Sequence, residues 1–446
     1  MNVNITKIDI DNYSKSFYNE KKNVLAMNAV TKNPITQVVL NRKHLTELNN
    51  IYSDRLEENK ILSQEKSGRC WLFAGTNVLR NEVIKKYKIR DFELSQNYLM
   101  FWDKFEKANY FLESIISIIE KPIQSRIFMY LLQSPIQDGG QWDMFVNLVK
   151  KYGVVPKSFM PETESSSNTR AMNVLITLKL REYAATLKKN YISGKTSDEL
   201  REIKGEMLNQ IYKMLVIHLG EPPKKFLWQW ENTEGAFYRE GIITPKEFFK
   251  KFINFDLDSM ICLINAPTED KPFNELYTVE FLGNVIEGSI IKYVNVDISI
   301  FKKAAIQMIK DGKHVWFGCD VGKWLERDMG VMSTKIFDYE LLYGEYFNSN
   351  KAERLDYGQS VMTHAMVFTG VDLDNDGNPV KWRVENSWSE KPGDKGYFLM
   401  TDKWFDEFMY EIAVEKNYVD AGIVKLLDKE PVILDPWDPM GALAKE

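Results

Sequence analysis

Gln64-Glu-Lys-Ser-Gly-Arg-Cys70-Trp71-Leu-Phe-Ala-Gly75 sets one of the chain's three cysteines at the mouth of an apolar run, with a glutamine six positions upstream. Ser67 and Gly68 are start signals for a helix that carries Trp71, Leu72, Val78 and Leu79. Cys70 then falls in the first turn, where backbone N–H groups lack intrahelical partners and the positive end of the helix favours an anion. A thiolate is favoured there, and the thiolate is the form that attacks a carbonyl carbon. Gln64 is a candidate donor for the oxyanion that such an attack creates.

A nucleophile of this kind needs a base, and of the four histidines only His364 has a partner pattern. In Met362-Thr-His364-Ala-Met-Val-Phe-Thr-Gly370 it opens an apolar strand, and Val380-Lys-Trp382-Arg-Val-Glu-Asn386-Ser-Trp388 reads as the next strand with an Asn at its end. Adjacent antiparallel strands bring an early residue of one beside a late residue of the other, so Asn386 can hold one ring nitrogen and leave the other to Cys70. Cys262 and Cys319 lie in apolar runs and read as core. Asp372-Leu-Asp374-Asn-Asp376-Gly377 begins like a calcium loop, but the twelfth position is Arg383 rather than Glu, so a polar hairpin loop without metal is expected.

A chain of 446 residues exceeds the size at which one core stops growing, so two or more packed lobes are expected. A formal net charge of −5 gives no overall reason to bind nucleic acid or anionic membranes. Three widely spaced cysteines, no signal-like start and no long apolar run predict a cytoplasmic protein without a disulfide framework or transmembrane segment. Residues 1–60 read as a leader with helices near Tyr13–Asn23 and Arg42–Asn59. Residues 61–160 read as a helical lobe carrying the cysteine, with Ser95 capping a second helix. Residues 161–233 read as inserted helices projecting from the catalytic core. Residues 234–430 read as a β-rich lobe carrying His364 and Asn386, and 431–446 as an extended arm.

Gln-x-x-Ser-Gly-Arg-Cys-Trp, followed far downstream by His-Ala, Asn-Ser-Trp and Gly396-Tyr-Phe-Leu-Met, resembles the papain-like cysteine peptidases. Ser67 stands where secreted members have a disulfide-forming cysteine, which fits a reducing compartment. Cys70 and His364 are 294 positions apart, about twice the separation in simple members, with the surplus in 161–290. With Phe92-Glu-Leu-Ser-Gln-Asn-Tyr, Asp138-Gly-Gly-Gln-Trp and Trp437-Asp-Pro-Met-Gly-Ala-Leu-Ala444, the chain resembles the bleomycin hydrolase and aminopeptidase C family over nearly its whole length.

The resemblance implies an α+β fold, a papain-like two-lobe core of a helical lobe and an antiparallel β-barrel-like lobe, with an inserted helical arm. It implies a cofactor-free cysteine aminopeptidase acting on peptides, bleomycin-like amides among its substrates, and assembled as a homohexamer. Cys70, His364, Asn386 and Gln64 are its catalytic candidates, supported by Trp71 and by Trp388 over the imidazole. Gly139 and Gly140 present backbone to the substrate strand, and the C-terminal carboxylate meets the substrate ammonium. Because the family ends at Leu-Ala, Ala444 is the expected carboxylate after trimming of Lys445 and Glu446. Thr363 stands where relatives often have Asp or Asn. A papain-fold acyltransferase or transglutaminase, and a catalytically silent binding protein, are the alternatives.

Overall fold

The structure, a computed structural model, describes residues 3–444. Its helical lobe is built on α1 (Cys70–Tyr87), buried almost throughout its first four turns. Gly75 makes this close packing possible, since a Cβ there would come within 2.8 Å of the Phe145 ring. Against α1 pack α2 (Gln96–Ser117) and α3 (Trp142–Tyr152). Ser95 caps α2, its Oγ accepting from Tyr98 N–H.

The inserted segment is a hairpin of α4 (Arg170–Ile192) and α5 (Ser197–Leu219), turned by a capping box at Thr196. The sequence predicts helices standing off the core, but this pair lies along α2. Met172, Ile176, Leu180, Ala184 and Leu187 recur at helical spacing and are buried, as are Leu200, Met207, Ile211, Leu215 and Leu219. The helix stops at Leu219, and the end of the 161–233 segment is instead the first strand of a two-stranded ribbon, Phe226–Glu231 with Phe237–Ile243.

Six strands form the centre of the β-rich lobe: β1 (Met260–Ile264), β2 (Val315–Cys319), β3 (His364–Leu373), β4 (Pro379–Glu385), β5 (Tyr397–Thr401) and β6 (Met409–Glu415). Their order is β1-β6-β2-β3-β4-β5, antiparallel throughout. Short strands extend both edges, including parallel pairs to β1 and β5, so the described sheet is mixed and open rather than a closed barrel. One face meets the helical lobe through Cys262, Trp316, Val367 and Ala413. The other carries Phe317, Phe368 and Trp382 and is covered by α6 (Ile298–Lys310) and by Phe405 of the helix Asp402–Phe408.

The leader departs from its predicted helices. Helices occupy Lys7–Asn19, Lys21–Val30 and Arg42–Glu47, but the chain is extended beyond Leu48. There Asp54–Arg55 pairs with Gly370 and Val371 of β3, where β3 runs on past its last pairing with β2 at Phe368, and this open stretch outweighs the helical spacing of Ile51 and Leu56. Asp372–Gly377 is the β3–β4 hairpin, where the Asp374 carboxylate accepts from Asp376 and Asn378 N–H. The described part of the C-terminal arm runs from a short strand at Val432–Leu434 through a turn at Asp435–Asp438 and a 3₁₀ turn at Pro439–Gly441 to Ala444.

Candidate active site

Cys70 is the first residue of α1 and is buried, as are Gln64, His364 and Asn386. The helical lobe brings the first pair and the sheet the second. Two backbone hydrogen bonds close the seam between them, Gln64 N–H to Ser387 O at 2.9 Å and Ser389 N–H to Leu62 O at 3.1 Å. The Gln64 amide is gripped at both ends: its Nε2 donates to Ser67 O at 2.6 Å, and its Oε1 accepts from Ser387 Oγ at 2.6 Å. His364 begins β3, directly across from Cys319 on β2. Its Nε2 lies 2.9 Å from Asn386 Oδ1, which also accepts from Ser387 N–H. An acceptor on Asn386 places the ring proton on Nε2 and leaves Nδ1 as the basic nitrogen. Trp388 lies over the imidazole with centroids 4.8 Å apart, and Arg327 covers its indole at 4.1 Å.

Gly140 packs against Trp71 so closely that a Cβ would fall 2.4 Å from the indole. Trp71 Nε1 donates to Asp138 O at 2.7 Å. Gly140 N–H donates to Ala444 O at 3.2 Å in an antiparallel bridge, and Gln141 Nε2 donates to Ala442 O at 2.9 Å. The arm thus meets the Gly140 backbone at Ala444 through a single bridge. Lys445 and Glu446, whose trimming the sequence suggests, lie outside the described residues.

Sequence reasoning passed over the charged groups that hold this loop. Lys107 Nζ donates to Gly139 O and Asp103, and Lys104 pairs with Asp138. Burial disfavours the Asp138 carboxylate, but Lys104 and hydrogen bonds from Thr169 and Asn173 outweigh it and hold the acid well below the usual carboxylate range. Arg69 forks onto Glu162, and Arg80 pairs with Glu385, next to Asn386. The available signal was charge on apolar faces: Lys104 and Lys107 interrupt an aromatic helix. Thr363 reaches Asp320 at 3.3 Å, so a carboxylate stands beside the residue before His364 but comes from β2's end.

The other candidates have structural settings. Cys262 donates to Asp143 at 3.5 Å, and burial pushes its thiol up, which suppresses the thiolate. His44 and His218 hydrogen-bond Ser333 and Ser165. Burial, with the charges of Lys85 and Arg80, lowers His314 to about 3.

The model of the Peptidase C1-like family matches residues 4–441. The chain belongs to this family. Aminopeptidase C of Listeria monocytogenes serovar 1/2a is 45% identical over 444 residues, covering 100% of both chains. Bleomycin hydrolase of Gallus gallus is 42% identical over 436 residues, 96% of each. Among solved structures, PepW from Lactobacillus rhamnosis HN001 superposes with a TM-score of 0.98 at 44% identity, covering 100% of both chains. The chain is therefore a cysteine peptidase with a papain-like α+β fold. Among the described residues, no helix is long and apolar enough to cross a membrane.

Proposed function

We propose that this cysteine aminopeptidase removes N-terminal residues from peptides through a Cys70-His364-Asn386 triad. His364 Nδ1 takes the Cys70 proton, and the thiolate attacks the carbonyl of the first residue. Gln64 and the Cys70 N–H hold the oxyanion. The imidazolium then protonates the leaving amine, water hydrolyses the thioester, and Cys70 is restored. Asn386 keeps the imidazole in the Nε2-protonated form, and Trp388 shields that bond from water. Gln64, held at both ends, needs no reorganisation as charge develops.

The observation that carries the aminopeptidase reading is the Gly140–Ala444 bridge. The arm occupies the backbone groups that a longer peptide would use upstream of the scissile bond. A carboxylate at Ala444, exposed by trimming of Lys445 and Glu446, pairs with the substrate's α-ammonium and rejects a blocked amine. Cytoplasmic residence and a homohexameric ring with inward-facing sites belong to the same reading and rest on family resemblance. Light scattering at several times 52.1 kDa is the check on assembly. The deciding test is one peptide supplied with free and acetylated N-termini. Only the free form should be cut, until removal of residues 441–446 opens the cleft and admits the acetylated one. Equal cleavage of both by the intact enzyme would overturn the reading.

A further inference from the structure

Asp138 collects four donors from three parts of the chain. Its Oδ2 accepts from Gly68 N–H at 2.9 Å and from the Thr169 hydroxyl; its Oδ1 accepts from Lys104 Nζ and from Asn173 Nδ2 at 2.8 Å. Its own carbonyl holds the Trp71 indole, and the next two residues are Gly139 and Gly140. Gly68 lies two residues before Cys70, Lys104 on α2, and Thr169 and Asn173 at the start of α4. The same base of the inserted hairpin grips the nucleophile loop twice more. Lys66 and Asn168 form a β-bridge, and the buried Arg69 guanidinium forks onto Glu162.

We propose that ionised Asp138 is a positioning residue that fixes Cys70 relative to the Gly140 backbone, and that the inserted hairpin sets this geometry through Thr169 and Asn173. The inference rests on the triad reading above and deepens it. All four groups facing the carboxylate are donors, so it accepts at both oxygens and answers the buried Lys104 charge. An amide there has only one acceptor oxygen and turns an N–H₂ toward donors. In Asp138→Asn the loop must shift, and displacements of about 1 Å from reacting geometry cost on the order of 100-fold in rate.

A reciprocal exchange tests this. In Asp138→Asn/Asn173→Asp, the new amide oxygen can still accept from Gly68 and Thr169, its N–H₂ donates to the new carboxylate, and that carboxylate answers Lys104. Competent sites are counted by titrating Cys70 with a thiol-directed epoxide, and kcat is expressed per titrated site. Asp138→Asn is expected to lose about 10- to 100-fold, and the exchange to recover most of it. A merely structural role would lower the number of titratable sites and leave kcat per site alone, which overturns the proposal, as does an exchange no better than Asp138→Asn alone. The pH profile of Cys70 alkylation by iodoacetamide gives a reading without peptide turnover. Asp138→Asn should lose reactivity on the acid side, where only a held thiolate–imidazolium pair reacts, and a profile identical to the parent's overturns the proposal. A parent that cuts no peptide would instead sink the triad reading. If Asp138→Asn does not fold, Thr169→Val and Asn173→Ala should shift both readouts the same way by smaller factors, and parent-like values in both would refute the coupling.

Discussion

Arg80→Met should unfold the protein far more readily than any surface change, and more so at pH 8 than at pH 5. Arg80 sits three turns along α1, and its guanidinium meets Glu385 Oε1 at 2.6 Å, with side-chain exposures of 2% and 0%. It also donates to Lys60 O at 3.0 Å. Removing one partner of such a pair leaves the other charge buried and costs about 3–5 kcal/mol. Burial already raises Glu385 above the ordinary carboxylate value, against the opposing charge of Arg80. Without Arg80 it rises further. An acid whose folded pKa lies above its unfolded one stabilises least at high pH: stability is lost as pH climbs from the unfolded value through the folded one. Urea midpoints at pH 5 and pH 8, compared with the parent's, read this out. Arg80→Met/Glu385→Met, which buries no charge, should regain most of the loss. A deficit of under about 1 kcal/mol at pH 8, an equal deficit at both pH values, or a double variant as weak as the single would refute the reasoning.

Cys70→Ala should abolish hydrolysis with little change in melting temperature, since the lost side chain is small; retained turnover would mean another nucleophile. His364→Ala should damage kcat far more than Asn386→Ala, because one moves the proton and the other orients the group that does, and equal losses in folded proteins would contradict the roles. Gly140→Ala forces the Trp71 ring to move and should cost about 1–3 kcal/mol with a sharp fall in kcat/KM; parent-like kinetics would show that the contact yields freely. His314 is buried neutral with its pKa lowered to about 3, so the unfolded chain takes up the proton first and stability drains as pH falls from about 6.5 toward 3. His314→Leu should flatten that part of the acid limb of a melting-temperature profile, and an unchanged limb would argue against it.

What the sequence disclosed follows from where each signal resides. The nucleophile stretch and the His-to-Asn spacing are local patterns, and local pattern also drew α1, Ser95's cap and the strands β3 and β4. The extended run after Leu48 is hidden from a local reading because its conformation is imposed by the distant part of β3 that runs past β2, at Gly370 and Val371. Asp138 was legible only as the residue before two glycines. Its chemistry depends on Lys104, Thr169 and Asn173, which only the fold brings together. The hairpin's lie along α2 was likewise hidden, because charges such as Arg201 and Lys204, which suggest a solvated arm, pair with Glu113 on α2.

The seam at Gln64 and Ser387 has a consequence for the protein's birth on the ribosome. Translation proceeds at about 5–20 residues per second, so the thiol of Cys70 emerges roughly 15–60 s before the imidazole 294 positions downstream. Through that interval the nascent chain carries the proposed nucleophile without its proposed base, and an amide at Gln64 without the Ser387 hydroxyl that holds it. Destructive capacity is thereby withheld from a polypeptide still being made. On the proposed triad it arises only when a distant stretch of the same molecule docks, so completion of the fold acts as the activating event.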